Sequence, residues 1–110
     1  MRRKYHESLL QWIWKHLVFE LRSIQTCCKK PITIEYPGEW NPGAGPDFLN
    51  ARIQIEDLLW HGHVEIHREE NDWYTHSHHM NPDFNEVILH VFLHRGRKKA
   101  MRIDGTTPFG

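Results

Sequence analysis

Residues 46–67, PDFLNARIQIEDLLWHGHVEIH, constrain the fold more than any other stretch of the chain. From residue 48 to 55 the side chains alternate. Leu49, Ala51, Ile53 and Ile55 fall on one side of an extended backbone, and Asn50, Arg52 and Gln54 on the other. A period of two belongs to a strand with one buried face. Glu56-Asp57 has turn chemistry, and residues 58–67 run on as a second strand, so the two runs are expected to pair as an antiparallel hairpin. On the returning strand Val64 and Ile66 share one face, and His63, Glu65 and His67 share the other. A carboxylate between two imidazoles, with Asp47 upstream behind a Gly- and Pro-rich bend, is a donor set suited to a metal ion.

The rest of the chain supplies what a hairpin needs to bury that face. Residues 7–24 place Leu9, Leu10, Ile13, Trp14, Leu17, Val18 and Leu21 at helical spacing, uninterrupted by Gly or Pro. Trp12 and Phe19 widen the stripe, so this helix is expected to pack on a sheet, with His16 and Glu20 at its surface. Residues 27–30 form a linker, and 31–36 a short strand that stops at Pro37-Gly38. Residues 39–46, EWNPGAGP, form a loop whose two prolines restrict it. The loop lacks the Gly-Lys-Ser/Thr ending of a phosphate-binding loop, which excludes a nucleotide cofactor by that route. In residues 71–85 alternation stops; Asn71 or Asp72 is expected to cap a short helix that Pro82 ends. Residues 87–94, VILHVFLH, are apolar on both faces except at His90 and His94, as in a central strand. A turn at 95–97 leads to a further strand at 99–103, and Asp104-Gly105 signals another turn. The expected fold is α+β, a single domain over residues 1–110 that reads as the N-terminal part of something longer.

A chain of 110 residues makes one core. Fourteen basic and fourteen acidic residues cancel, so net charge points to no polyanionic partner. The basic runs at 2–4 and 95–99 read as solvated ends and turns. The only cysteines are the adjacent Cys27-Cys28, which suits a reducing compartment. No apolar run has the length of a membrane span and no signal peptide precedes the first helix, so a soluble, cytoplasmic protein is expected. Most of the ten histidines fall between His61 and His94, where they offer a second metal reading: zinc held by His67, His76, His78 and His79, with His63 as an adjunct. That spacing matches no zinc finger and no His-Glu-x-x-His helix. His61 and His63 equally suit exposed positions, and His90 a buried, hydrogen-bonded one. Trp40, Trp60 and Trp73 read as packing residues.

Two resemblances follow from the residues. The series Asn41-Pro42-Gly43-Ala44-Gly45-Pro46-Asp47-Phe48, Ala51, Trp60-x-Gly62-x-Val64-Glu65-Ile66-His67, Asp72-Trp73-x-x-His76-x-His78 and Asn85-x-Val87-Ile88-Leu89-His90-Val91 resembles the start of an uncharacterised bacterial family classed only as a domain of unknown function, family 2851. The order helix, three strands, helix, strand is also similar to the core of PD-(D/E)XK, restriction-endonuclease-like nucleases. That second resemblance implies a helix on a mixed or antiparallel sheet, with a short helix before the fourth strand. It implies that Asp47 and Glu65 bind Mg2+ or Mn2+, with DNA or RNA as substrate; Zn2+ is the alternative that the histidine set offers. His67 stands where those enzymes carry Lys, so its role would be ligand, base or neither. A degenerate, non-catalytic binding module is the third reading.

Overall fold

The computed structural model describes residues 2–17, 30–96, 99–102 and 108. Helix α1, Arg2–Leu17, is followed by strands β1, Ile32–Tyr36, β2, Glu39–Trp40, β3, Phe48–Ile55, and β4, Leu58–Glu69. A short helix α2, Asp72–Thr75, two 3-10 turns, His78–Met80 and Pro82–Phe84, and strand β5, Val87–His94, complete the described elements. The expected hairpin forms with a two-residue turn, Ile55 facing Leu58 in register. The sheet runs β1-β3-β4-β5, with β2 pairing beside β1 on β3. The β1, β2 and β3 pairings are antiparallel, whereas β5 returns parallel to β4 after the helical segment. The fold is thus α+β with a mixed sheet.

Several expectations need correction. The buried face of β3 begins with Phe48 rather than Leu49. The register shifts between Phe48 and Ala51, and Asn50 has φ 57°, so a bulge rotates the strand's first residues by one position. Strand β5 lies at the end of the described strand order, not in its middle; its apolar residues join the clusters on both faces of the sheet, Ile88 and Leu89 on one and Val87 on the other. Residues 99–102 carry no strand. They instead lie along the helical layer, where Trp73 Nε1 donates to the Met101 carbonyl at 2.9 Å and Tyr74 OH to that of Lys99. The loop at 39–46 contributes β2 from its first two residues. Asn71 does precede α2, but its side chain makes no cap bond. The helix expected to run to residue 24 is described only to Leu17, and the Cys27-Cys28 pair, Glu20 and the turn at 104–105 lie outside the described residues.

Two clusters sandwich the sheet. On one side Trp14 of α1 packs with Ile34, Phe48, Ala51, Ile53, Val64 and Ile66, and Leu10 joins from the same helix. The Trp14 indole N–H donates to the Pro37 carbonyl at 2.9 Å, which fixes the helix against the end of β1. On the other side Trp73 packs with Phe84, Val87 and Ala100. Trp73 is fully buried, as expected of a packing residue. Trp40 and Trp60 are not: they stand 50% and 37% exposed. Among the described residues no helix is long and apolar enough to cross a membrane.

Candidate metal centre

The loop before β3 explains how an acid is aimed at the sheet. Asn41 Nδ2 donates to the carbonyls of Ala44 and Pro46, at 2.7 and 2.9 Å, while its Oδ1 accepts from Gly43 N at 3.1 Å. Asn41 N then donates to the Asp47 carbonyl at 2.8 Å. Gly45, at φ 97°, closes the bend in a conformation that favours glycine. Asp47 is delivered beside β4, and its carboxylate is used there: Oδ2 accepts from Ile66 N at 2.8 Å, and Oδ1 from Gln11 Nε2 at 2.9 Å. Its own N–H donates to Glu65 Oε1 at 3.1 Å. Asp47 and Glu65 therefore do come together, through a backbone donor that holds one Glu65 oxygen and leaves the other, Oε2, facing away toward the histidines.

That second oxygen meets the imidazoles. Glu65 Oε2 lies 2.7 Å from His78 Nε2 and 3.1 Å from His67 Nε2. Neither contact has hydrogen-bond alignment; His67 Nε2 and both ring nitrogens of His78 are buried without a hydrogen-bond partner among the described residues. His76 completes a group in which one ligand atom each from His67, His76 and His78 lies within 4.8 Å of the others. His67 comes from the buried face of β4, 1% exposed, and the other two from the turn after α2. Between them Ser77 takes the left-handed conformation, φ 60°, and the His76 and His78 rings lie 5.5 Å apart. The His78 ring stacks on Phe84 at 3.8 Å and on His67 at 5.1 Å. His67 Nδ1 is engaged elsewhere, 2.7 Å from Nε2 of the buried His90.

The electrostatics follow from this crowding. Burial alone would raise the Glu65 pKa, but His67 and His78 outweigh it and hold the carboxyl at about 2. Burial pushes His90 down to about 3, helped by His67. His76 is also lowered, by burial and then by the neighbouring imidazoles, against the pull of Asp72 and Glu65. Glu65 is thus an anion and His90 a neutral ring near pH 7. Three imidazoles around a buried carboxylate form a group that could hold a metal ion.

Of the residues read from the sequence, Glu65 and His67 sit in this group, and Asp47 supports it through the backbone. His79 is half-buried against the Tyr74 ring at 4.9 Å and lies outside the three-histidine group. His63 is a half-buried acceptor, its Nδ1 taking the Asn50 N–H at 3.1 Å. His61 is exposed. Gln11 and the pairing of His90 with His67 were not legible. They depend on α1 lying over the loop and on β5 lying parallel to β4. The pairing of Glu65-x-His67 with His76-x-His78 did carry a signal, two donor pairs separated by one turn-rich segment.

In its described residues the molecule is therefore an α+β domain with a five-stranded mixed sheet and a histidine-rich group that could hold a metal ion. Over residues 7–107 the chain matches the family described as Protein of unknown function (DUF2851), and it belongs to that family. No curated protein matches the chain, and no solved structure does.

Proposed function

We propose that this domain binds one transition-metal ion, of the Zn2+ class, through His67 Nε2, His76, His78 and Glu65 Oε2. The observation that carries it is the misaligned approach of two imidazole nitrogens to one carboxylate oxygen, at 2.7 and 3.1 Å. Donors about 2.0–2.2 Å from a common tetrahedral ion stand roughly 3.3 Å apart, so such spacings suit neighbouring ligands of a single metal. Three nitrogen donors favour Zn2+ over Mg2+, which prefers oxygen and keeps its waters. The metal reading thus moves from Asp47, Glu65 and His67 toward the histidine set, with Asp47 as a support. His76 is exposed, so an ion there would face solvent on one side and could bind water. Calorimetric titration with Zn2+, Mn2+ and Mg2+ tests this. One Zn2+ per chain, weakened at least a hundredfold by His76→Ala or His78→Ala, is expected; wild-type protein that takes up no Zn2+ would refute it.

A metal-dependent, PD-(D/E)XK-like hydrolysis of nucleic-acid phosphodiesters is the second reading. It is favoured by a groove of about 240 Å3 on the α1 side, lined by Gln11, Trp12, Lys15, His16, Trp40 and Phe48. Lys15 lies 5.7 Å from the Trp40 ring centre, and both Trp12 and Trp40 are half exposed, a combination suited to a base and its phosphate. Gln11 joins this groove to Asp47, and Asp47 to Glu65. In this reading Asp47 and Glu65 hold Mg2+ or Mn2+ and His67 orients the attacking water. Cleavage of single-stranded DNA or RNA that requires Mn2+ and is lost in Glu65→Ala would support it over the zinc reading. A cytoplasmic location and a place at the N-terminal end of a longer architecture belong to the same proposal.

A further inference from the structure

We infer that His90 is a positioning residue that fixes the tautomer of His67, and that loading the ion reverses the tautomers of both rings. The inference rests on the zinc reading above. His67 Nδ1 and His90 Nε2 stand 2.7 Å apart with both rings buried. Two neutral imidazoles in that geometry share one proton along the bond, and only two arrangements exist. In the first, His90 Nε2–H donates to His67 Nδ1, and His67 carries its own proton on Nε2, toward Glu65 Oε2 at 3.1 Å. In the second, His67 Nδ1–H donates to His90 Nε2, which leaves a bare lone pair on His67 Nε2 and puts the second proton on His90 Nδ1.

The surroundings select between them. Each arrangement leaves one buried N–H with no aligned acceptor among the described residues: His67 Nε2–H in the first and His90 Nδ1–H in the second. That penalty is common to both arrangements and does not separate them. Charge separates them: the first arrangement turns a proton toward the anionic Glu65, whose Oε2 lies 3.1 Å from His67 Nε2, whereas the second sets a bare lone pair against that oxygen. Without an ion, the first arrangement is therefore the stable one. An ion at His67 Nε2 needs that nitrogen's lone pair, and only the second arrangement supplies it. On loading, the His67 Nε2 proton is released to solvent, the shared proton passes from His90 Nε2 to His67 Nδ1, and His90 Nδ1 takes a proton from solvent. The pair holds two protons before and after.

The test is a long-range 1H–15N correlation spectrum of the full chain labelled at histidine, recorded with chelator and after one equivalent of Zn2+. His67 and His90 are both expected as Nε2–H tautomers in chelator and as Nδ1–H tautomers with Zn2+. Zn2+ uptake that leaves His90 in its starting tautomer overturns the inference while sparing the metal site. Absence of Zn2+ uptake removes both. Affinity gives a second readout: His90→Leu, which cannot accept from His67 Nδ1–H, should bind Zn2+ about 10- to 100-fold more weakly. His90→Gln, whose carbonyl can accept, should recover most of that loss. Equal losses in the two variants, each shown to be folded by circular dichroism, would overturn the positioning role.

Discussion

The Asp47 carboxylate illustrates how a residue with the chemistry of a ligand can be committed to the fold. One oxygen accepts from Ile66 N and the other from Gln11, so the acid joins the start of β3 to β4 and to α1. Asp47→Asn would keep the shape but turn an amide donor toward one of those two donors. A loss of about 1–3 kcal/mol in urea unfolding is expected, from the bonds to a charged acceptor; a change within error would show that the carboxylate is dispensable for stability. The buried imidazole and carboxyl set the pH response of the zinc-free protein. His90 is held at about 3 when folded, so between pH 6.5 and 3 the unfolded chain binds the extra proton. Stability is then complete above pH 6.5 and falls as the solution is acidified toward 3. Glu65, held at about 2, adds stability that is present above its unfolded value near 4.5 and lost as pH falls toward 2. Of these two groups only His90 acts above pH 4.5, where His76 and His63, also lowered by burial, add to the same decline. Thermal melts in chelator should show a midpoint that declines from pH 6.5 to 5, and His90→Gln should make that decline shallower. An unchanged slope in the variant would assign the effect elsewhere. Sequence periodicity put Glu65 and His67 on one face because a strand has only two. His90 suits a buried, hydrogen-bonded position and takes one, but its partner was not legible, because that partner lies one strand away in a register set by the parallel return of β5.

At the level of elements, the hairpin was legible because alternation, turn residues and length all agree over residues 48–67. The bulge was not, since Phe48 and Leu49 are both apolar and either could lead the buried face. Asn50 and its positive φ decide it, together with the His63 nitrogen that takes the Asn50 N–H. Residues 71–85 resisted reading for a different reason: helices of three and four residues are too short to show a period. Strand β5 looked central because it is apolar on both faces, and a helical layer on each side of a sheet produces the same pattern. How β5 approaches β4 depends on Gly62. A Cβ there would lie 2.5 Å from Ile88 Cγ2 and 2.6 Å from the Glu86 carbonyl oxygen, which itself accepts from His63 N at 2.8 Å. The backbone oxygen cannot yield without breaking that bond. Gly62→Ala should therefore cost about 1–3 kcal/mol, as overpacking does, and weaken Zn2+ binding by spreading the strands that carry His67 and His90. Guanidinium unfolding and calorimetry on one preparation check both effects; an alanine variant as stable as the parent would mean that the strands are not in contact there.

For the molecule as a whole, the proposed ion would join two layers that the described contacts hold unequally. His67 belongs to the sheet, anchored among β3, β4 and β5 and bound to His90. His76 and His78 belong to a segment built from single-turn bonds, such as Ser77 N to Tyr74 O and Met80 N to Ser77 O. Its main apolar anchors on the sheet are Trp73 and Phe84. Such short bonds exchange through local opening at low free energy. An ion held across the layers binds the closed form only, so Zn2+ at a hundred times its dissociation constant should stabilise the fold by about 2.7 kcal/mol. For a domain of this size that is roughly 10–20 °C in melting temperature. The distribution of the gain is the sharper expectation. Hydrogen exchange with Zn2+ should slow most at residues 76–80, to a lesser degree along β4 near His67, and least in α1, whose anchor Trp14 lies on the opposite face. His78→Ala should abolish both the temperature shift and the local protection. Protection spread evenly over the chain, or a temperature shift that survives His78→Ala, would place the ion somewhere other than between the sheet and the turn after α2.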